Sequence, residues 1–315
     1  MKARLLTIVW GQPYIDWFDR ACVASLEQPS NLKALRENVA VWDIVTKPED
    51  QDVVKDIASR LGLNMEFRLD EMTTQGVLTS GDILQRELIT EMHLCFKNTQ
   101  AFMLIPPDSI FGEGTIETLC VLGKPRGVCI AVPHVRVKPA ILDISWRMKS
   151  NAHLVAAAWQ QLHRTWVESD ASRKQTNTYS GGCSWRKIRD GLYAVTHLLP
   201  TIYYAQFHES DIGWWNAQIR INVWDHAWPS KVVAELRQRV VGSSDAAFIA
   251  EITPEFGNIP PCQLSDPEEP DKYWGKAAHQ IFNRNSINIF RAADVSDEPT
   301  LFGAKVFQHE EETVG

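Results

Sequence analysis

The sequence contains no C-x-x-C pair, although six cysteines stand at positions 22, 95, 120, 129, 183 and 262. That spacing argues against a zinc site or a thioredoxin-like motif. Cys95, Cys120 and Cys129 lie in apolar runs, which reads as reduced, buried thiol in a cytosolic protein and not as a disulfide framework. No stretch approaches 18 consecutive apolar residues, so no transmembrane helix is expected. The apolar run after the basic start is cut short by Gly11, Gln12 and Pro13, too early for a signal peptide. Lys and Arg, 32 in all, are outnumbered by 39 Asp and Glu. The formal net charge is −7, a poor balance for non-specific nucleic-acid or anionic-membrane binding. Two nucleotide-binding signatures are also missing. The first strand is followed by WGQPYID and not by G-x-G-x-x-G, and G-x-x-x-x-G-K-[ST] occurs nowhere. A plain dinucleotide-dependent dehydrogenase and a P-loop enzyme are therefore disfavoured. No segment repeats at a fixed period.

What is present alternates. Residues 5–10 are apolar and β-prone, and 14–26 carry Ile15, Phe18, Cys22 and Leu26 at helical spacing. Residues 39–45 read as a second strand, 50–61 as a helix and 65–69 as a third strand. A stronger helix is predicted over 82–96, with Ser80 as candidate N-cap and a stripe of Leu84, Leu88, Met92 and Cys95. The apolar run 101–105 follows, then a turn, a helix over 115–122 and a strand over 128–132. Such alternation predicts a doubly wound, mostly parallel α/β sheet. The length of 315 residues suits one large domain or two small ones. We divide it into an α/β half, 1–140, and a second half, 141–315, continuous with the first and of α+β character.

That second half reads as a helix over 151–166, a polar stretch over 168–186, and short strands at 192–198, 201–206, 217–223 and 247–252. A helix over 230–240 interrupts them. The polar stretch is long enough to be a functional lid or an irregular surface loop. Residues 264–272, acidic and proline-containing, read as a surface loop.

The stretch AFMLIPPDSIFGEGTIETL, 101–119, is the centre of the chain. Pro106 and Pro107 stop the strand because proline has no N–H for a sheet ladder. Asp108 follows at once, with Ser109 beside it. A carboxylate at the C-terminal end of a buried strand sits where open α/β sheets bind ligands. An Asp there is equally a common turn former, and both readings stay open on position alone.

The turn TIVWGQPYID, the strand end VWDIVTKPED and the helix leading into FMLIPPDSIF make the first 137 residues resemble nucleotide-sugar glycosyltransferases of the A-type fold (GT-A). The resemblance implies a nucleotide-sugar donor and a glycan or other hydroxyl acceptor. It implies an acidic Asp-x-Asp-like motif at Asp108 holding Mn or Mg, with a histidine of the second half completing the metal set. His226 is the first choice for that histidine and His208 the second. Here the motif reads Asp108-Ser109-Ile110, so the second Asp is missing. The resemblance further implies donor-binding positions at Val9, Trp10, Gly11, Tyr14, Thr46, Pro107, Asp108 and Ser109. Arg68 and Arg136 are the basic residues chosen to meet the diphosphate. A general base from the second half would be Asp245, Asp211 or Glu251, the first two being preferred.

Asp225 beside His226, in NVWDHAWP, is a good pair for metal or acid/base work if the segment is a loop. Nine of the twelve tryptophans fall after residue 140, which suits sugar rings but suits a core equally. A non-catalytic nucleotide-sugar-binding or scaffold protein on the same fold is the rival reading. A nucleotidyltransferase is the third, and would need a glycine- and lysine-rich loop where WGQPYID stands.

Overall fold

The computed structural model describes residues 1–69, 80–125, 127–132, 134–144, 150–168, 183–197, 201–216 and 237–254. It also describes residues 170, 177–178, 228, 231–232, 235, 262–263 and 288–291.

The chain starts with β1 (Ala3–Ile8) and turns at Gly11, whose φ of 77° is one that L side chains rarely adopt. Helix α1 (Gln12–Trp17), with Pro13 in its first turn, widens into a π-helical stretch over Phe18–Val23 and ends in α2 (Ala24–Leu26). Next come α3 (Pro29–Asn38), β2 (Val39–Thr46), α4 (Gln51–Ser59), β3 (Met65–Leu69) and α5 (Ser80–Lys97). Then follow β4 (Ala101–Leu104), β5 (Ser109–Phe111), α6 (Thr115–Leu122), β6 (Cys129–Ala131), β7 (His134–Val137), α7 (Asn151–Gln160) and α8 (Arg164–Glu168). The remainder is β8 (Asn177–Thr178), β9 (Cys183–Arg189), β10 (Leu192–His197), β11 (Ile202–Ala205), α9 (Glu209–Asn216), β12 (Gln238–Val240), β13 (Ile249–Ile252), β14 (Cys262–Gln263) and β15 (Asn288–Arg291).

A seven-stranded sheet runs β12-β6-β11-β4-β1-β2-β3. β1 lies parallel to β2 and β4, β2 parallel to β3, and β6 parallel to β12. Only β11 runs against its neighbours β4 and β6. The sheet is thus mostly parallel, as the alternation predicts. Strands from beyond residue 141 complete it: β11 and β12 are built into the same sheet as β1–β4.

Both faces are covered. Leu5, Val9, Trp42, Ile44, Met103 and Ile105 pack with Ile15, Phe18, Cys22, Leu35, Val54 and Ile57 from α1 to α4. Leu6, Val45, Phe102 and Leu104 face the other way, onto Leu88, Met92 and Cys95 of α5. Burying each such side chain stabilises the fold by about 1.5–3 kcal/mol. The links from β1 to β2 and from β2 to β3 cross one face, and the link from β3 to β4 crosses the other. The strand order therefore switches between β1 and β4, and their C-terminal ends flank a crevice. A hydrogen-bond chain fixes that edge. Thr7 Oγ1 donates to the Ile105 carbonyl at 2.8 Å and accepts from Trp42 Nε1 at 2.9 Å.

A second, smaller sheet, β5-β13-β7, stands beside this edge. Its back face carries Ile110, Val135, Val137, Ala250 and Ile252, packed on Leu154, Val155 and Ala158 of α7. A third sheet, β15-β10-β9, packs with Tyr193 stacked on Trp159 of α7 at 4.1 Å between ring centroids. Cys22, Cys95, Cys120 and Cys129 are free and buried.

Several expectations are corrected. The single helix over 151–166 breaks after Gln160, because Lys138 N–H donates to Gln161 O and His163 N–H to Arg136 O. This hydrogen bonding to β7 competes with helix continuation. Of the helix expected over 230–240, residues 231–232 are helical, and 233, 234 and 236 lie outside the described residues. Gln238–Val240 is a strand, drawn into register with β6. The polar stretch 168–186 is not without structure: Asn177–Thr178 pairs with β14, and β9 begins at Cys183. The rest of that stretch, the strand over 217–223, the NVWDHAWP segment up to residue 227 and the loop over 264–272 lie outside the described residues.

Candidate active site

Asp108 lies in the turn between β4 and β5, at the switch between β1 and β4. The turn is closed by Ser109 N–H donating to Pro106 O, and Ile105 N–H donates to Leu6 O. Ile252 N–H donates to the Asp108 carbonyl at 2.7 Å, which fastens β13 to the turn. That bond brings in Glu251. Its register partners are Ser109 on β5 and Arg136 on β7, so residues of three strands meet on one face of the small sheet.

Glu251 is clamped at both oxygens. His134 Nε2 donates to Oε2 at 2.9 Å, and Arg136 Nε forms an ion pair with Oε1 at 3.2 Å. His134 and Arg136 are two apart on β7 and so project to the same face. Burial alone would raise the Glu251 pKa, but Arg136 and His134 outweigh it and hold the carboxylate well below its ordinary range. Asp108 goes the other way. Burial, and then the charge of Glu251, raise its pKa to about 8, against the weaker pull of Arg136.

Two phenols border the pair. Tyr14, on α1, is 40% exposed, and its pKa is raised by burial and then by the charges of Asp108 and Glu251. Tyr203, on β11, is buried against Phe111, and burial, Glu251 and Asp108 raise it in turn. The arrangement therefore sets a carboxylate held in its charged form beside a carboxyl group of raised pKa, with a partly exposed phenol next to them.

The other expected positions divide by place. Val9 is buried at the end of β1, Trp10 is half-buried, and Gly11 N–H donates to Asp50 Oδ2 at 3.0 Å. Thr46 is buried at the end of β2, on the same sheet edge, and Pro107 is half-buried in the Asp108 turn. Arg136 is joined to the site through Glu251. Ser109 is fully buried, so it supports the turn from beneath and does not present its hydroxyl at the surface.

Arg68 is placed elsewhere. It points beneath α5, where Nη2 meets Glu91 and Nε lies 3.3 Å from Glu87 Oε2. Asp211 is at the opposite, N-terminal edge of the parallel strands. There Arg237 donates to both its oxygens at 2.9 and 2.8 Å, Lys231 Nζ to Oδ1 at 3.0 Å, and His208 N–H to Oδ2 at 2.8 Å. Burial would raise its pKa, but these donors hold it at about 2. It closes a charge network. Asp245 is exposed in the turn before β13, where its N–H donates to Ser243 Oγ. It lies six positions ahead of Glu251, at the far end of β13 from Asp108. His226 lies outside the described residues. Of the three proposed bases, only Glu251 is brought to Asp108.

Sequence reasoning did not single out His134 or Tyr203. His134 had a readable signal: in PHVRV it alternates with Arg136, so a strand there puts both on one face. Tyr203 had none, because its place depends on β11 running antiparallel between β4 and β6.

No family model matches the chain, and no curated protein matches it. Solved structures with a similar course include the inositol-1-phosphate CTP transferase from T. maritima, at 10% identity. That match covers 89% of this chain and 96% of that one, with a TM-score of 0.37. The 4-diphosphocytidyl-2C-methyl-D-erythritol synthase from Anaerococcus prevotii matches at 11% identity over 76% and 86%, TM-score 0.38. A putative glucose-1-phosphate thymidylyltransferase from Bacillus anthracis matches at 10% identity over 76% and 86%, TM-score 0.35. At scores of this size the fold rests on its own topology.

Proposed function

We propose that this protein is a transferase that takes a nucleotide-diphosphate donor in the crevice between β1 and β4 and passes its sugar to a hydroxyl acceptor. The observation that carries this reading is the Asp108–Glu251 pair at the topological switch point of a doubly wound sheet. Open α/β sheets bind ligands at that place.

Mn or Mg is the cofactor the reading implies. Among the described residues no three of His, Cys, Asp and Glu gather to hold a metal ion. Glu251 has both oxygens engaged by His134 and Arg136, which leaves Asp108 as the carboxyl group open to a cation. One carboxylate with waters and substrate phosphates is a donor set that suits a Mg-type ion. Asp108 would hold the ion, which when bound would offset the charge of the leaving diphosphate.

The chain's own groups do the rest. Glu251, locked as an anion, is a weak proton acceptor. It is better suited to stabilising positive charge that builds on a sugar ring as the donor bond breaks. Arg136 and His134 orient it. Tyr14 stands within reach of the charges of Asp108 and Glu251 and is partly exposed, so its ring can pack against a ligand there and exclude water.

Thermal melting with UDP- and GDP-sugars, each with and without Mn, tests binding, since a ligand of the folded state raises the melting temperature by mass action. A turnover assay on any sugar that shifts the melt then tests the reaction. A shift without turnover would favour a binding protein. Release of pyrophosphate from a nucleoside triphosphate and a sugar phosphate would favour nucleotidyl transfer. No shift with any of these compounds would overturn the proposal.

A further inference from the structure

Away from the crevice, beneath α5, lies a buried charge cluster that the transfer reading does not use. Arg4, on β1, donates through Nη2 to both oxygens of Asp43 on β2 at 2.9 and 2.8 Å. The same Nη2 reaches Glu66 Oε2 on β3 at 3.2 Å, and Nε reaches Glu91 Oε2 on α5 at 3.3 Å. Arg68, on β3, contacts the second oxygen of Glu91 and also Glu87. Arg86 Nη2 meets Glu87 Oε1 at 2.9 Å from the outer side. The side chains of Arg4, Asp43, Glu87 and Glu91 are 7%, 2%, 8% and 0% exposed.

The charges do not balance. The buried part holds Arg4 and Arg68 against Asp43, Glu87 and Glu91. Adding the more exposed Arg86 and Glu66 gives three cations against four carboxylates. Among the described residues either count leaves one carboxylate in excess. A buried uncompensated charge is costly, and taking up a proton removes it. Glu91 is the group most enclosed. Besides the two arginines and Asp43 it faces Cys95 of its own helix, while α9 beside α5 contributes Ile212 and Trp215 to the core, not charge.

We propose that α5 is a proton-controlled latch: one proton shared in the Arg4–Asp43–Glu91–Arg68 cluster holds the helix on β1–β3, and loss of that proton loosens it. Burial, and then Asp43, push Glu91 up to about 7, against Arg68 and Arg4. The opened helix returns Glu91 to water, where it ionises in the ordinary glutamate range. Docked α5 therefore binds more protons than undocked α5. Its docking is strongest at low pH and weakens as pH rises through the value in the docked state. The latch bears on the crevice through the chain itself. α5 ends at Lys97, Gln100 N–H donates to Cys95 O at 2.8 Å, and Cys95 Sγ contacts the Ala101 carbonyl, so α5 is tied to the start of β4, the strand that leads into the Asp108 turn.

Native-state hydrogen exchange of the α5 amides, corrected for intrinsic rates, tests this on the full chain. Between about pH 5 and 7 the protection of α5 should fall about tenfold per unit, the slope of one linked proton, and then level off. Glu91→Gln should remove the slope. Glu66→Gln, at a rim position 59% exposed, should fold normally and move the slope to lower pH by removing one repelling carboxylate. A wild type without the slope, a Glu91→Gln protein that keeps it, or a Glu66→Gln protein in which it is unmoved would each overturn the latch. If Glu91→Gln does not fold, the Glu66→Gln shift alone decides.

Discussion

Asp108 and Glu251 sit side by side at the end of β4 with their pKa values pushed in opposite directions, Asp108 up to about 8 and Glu251 down. The difference comes from who holds each carboxyl group. Glu251 has Arg136 and His134 on its two oxygens, while Asp108 faces burial and its neighbour's charge. Pairs of carboxyl groups separated in this way are a recurring signature of sites where one carries charge and the other carries a proton or a ligand.

The raised Asp108 pKa has a stability consequence with a definite sign. The folded state binds this proton more tightly than the unfolded chain does. The contribution is complete below the ordinary aspartate range and is lost as pH rises towards about 8. Asp108→Asn should remove that loss. Denaturant melts from pH 4 to 8 should show the variant gaining on wild type by about 1–3 kcal/mol, because solvent reaches the half-buried carboxyl group and screens the effect. In the same variant, turnover of any nucleotide-sugar should be abolished with the fold intact.

Glu251→Gln should lower the Asp108 pKa by about one unit or more, because the like charge beside it is gone. Carboxyl-carbon NMR of selectively labelled aspartate reads this directly. An Asp108 titration that stays where it is in wild type would mean that the two groups do not sense each other.

Gly112 should not accept a side chain. A Cβ there would fall 2.1 Å from Asn151 Oδ1 and 3.1 Å from the Phe248 carbonyl. Gly112 N–H also donates to that carbonyl, so the loop cannot back away without losing a hydrogen bond. Gly112→Ala should cost about 1–3 kcal/mol, the usual penalty for overpacking. Gly11→Ala differs in cause: its Cβ would meet nothing within 4 Å, and the strain there is purely one of φ. Chemical denaturation of the two variants checks both.

Where the sequence is legible, its local pattern and its tertiary role agree. Leu88, Met92 and Cys95 lie on one face at helical spacing, and all three are buried under α5. Pro106-Pro107-Asp108 ends β4 because two prolines cannot extend a ladder, and the turn falls there. Where it is not legible, distant pairing decides. Gln238–Val240 sits in a pattern that reads as helix but becomes a strand because β6 offers a free edge. Glu251 stands among three eligible acids in the sequence. What selects it is the bond from Ile252 N–H to Asp108 O, a contact across 144 positions that no local spacing encodes. Arg68 and Asp211 mislead for the same reason. A charged residue looks available in sequence until its buried partner, Glu91 or Arg237, is known.

Asp211 gives the sharpest contrast with Asp108. It is fully buried and receives hydrogen bonds from Arg237, Lys231 and the His208 amide, with Arg237 also donating to Gly127 O and Gln206 O. Removing it leaves two cations, Arg237 and Lys231, without the anion they enclose. Breaking a buried pair from one side costs about 3–5 kcal/mol. Asp211→Ala should therefore lower the melting temperature sharply. The damage lies at the N-terminal edge of the parallel strands, across the sheet from Asp108. Below its melting range the variant should keep wild-type turnover per folded molecule. Asp108→Ala should do the reverse, melting no lower than wild type and losing the turnover. Measuring both quantities on both variants assigns each acid its part. If Asp211→Ala melts like wild type and loses turnover, Asp211 belongs to the chemistry and the site drawn around Asp108 and Glu251 is misplaced.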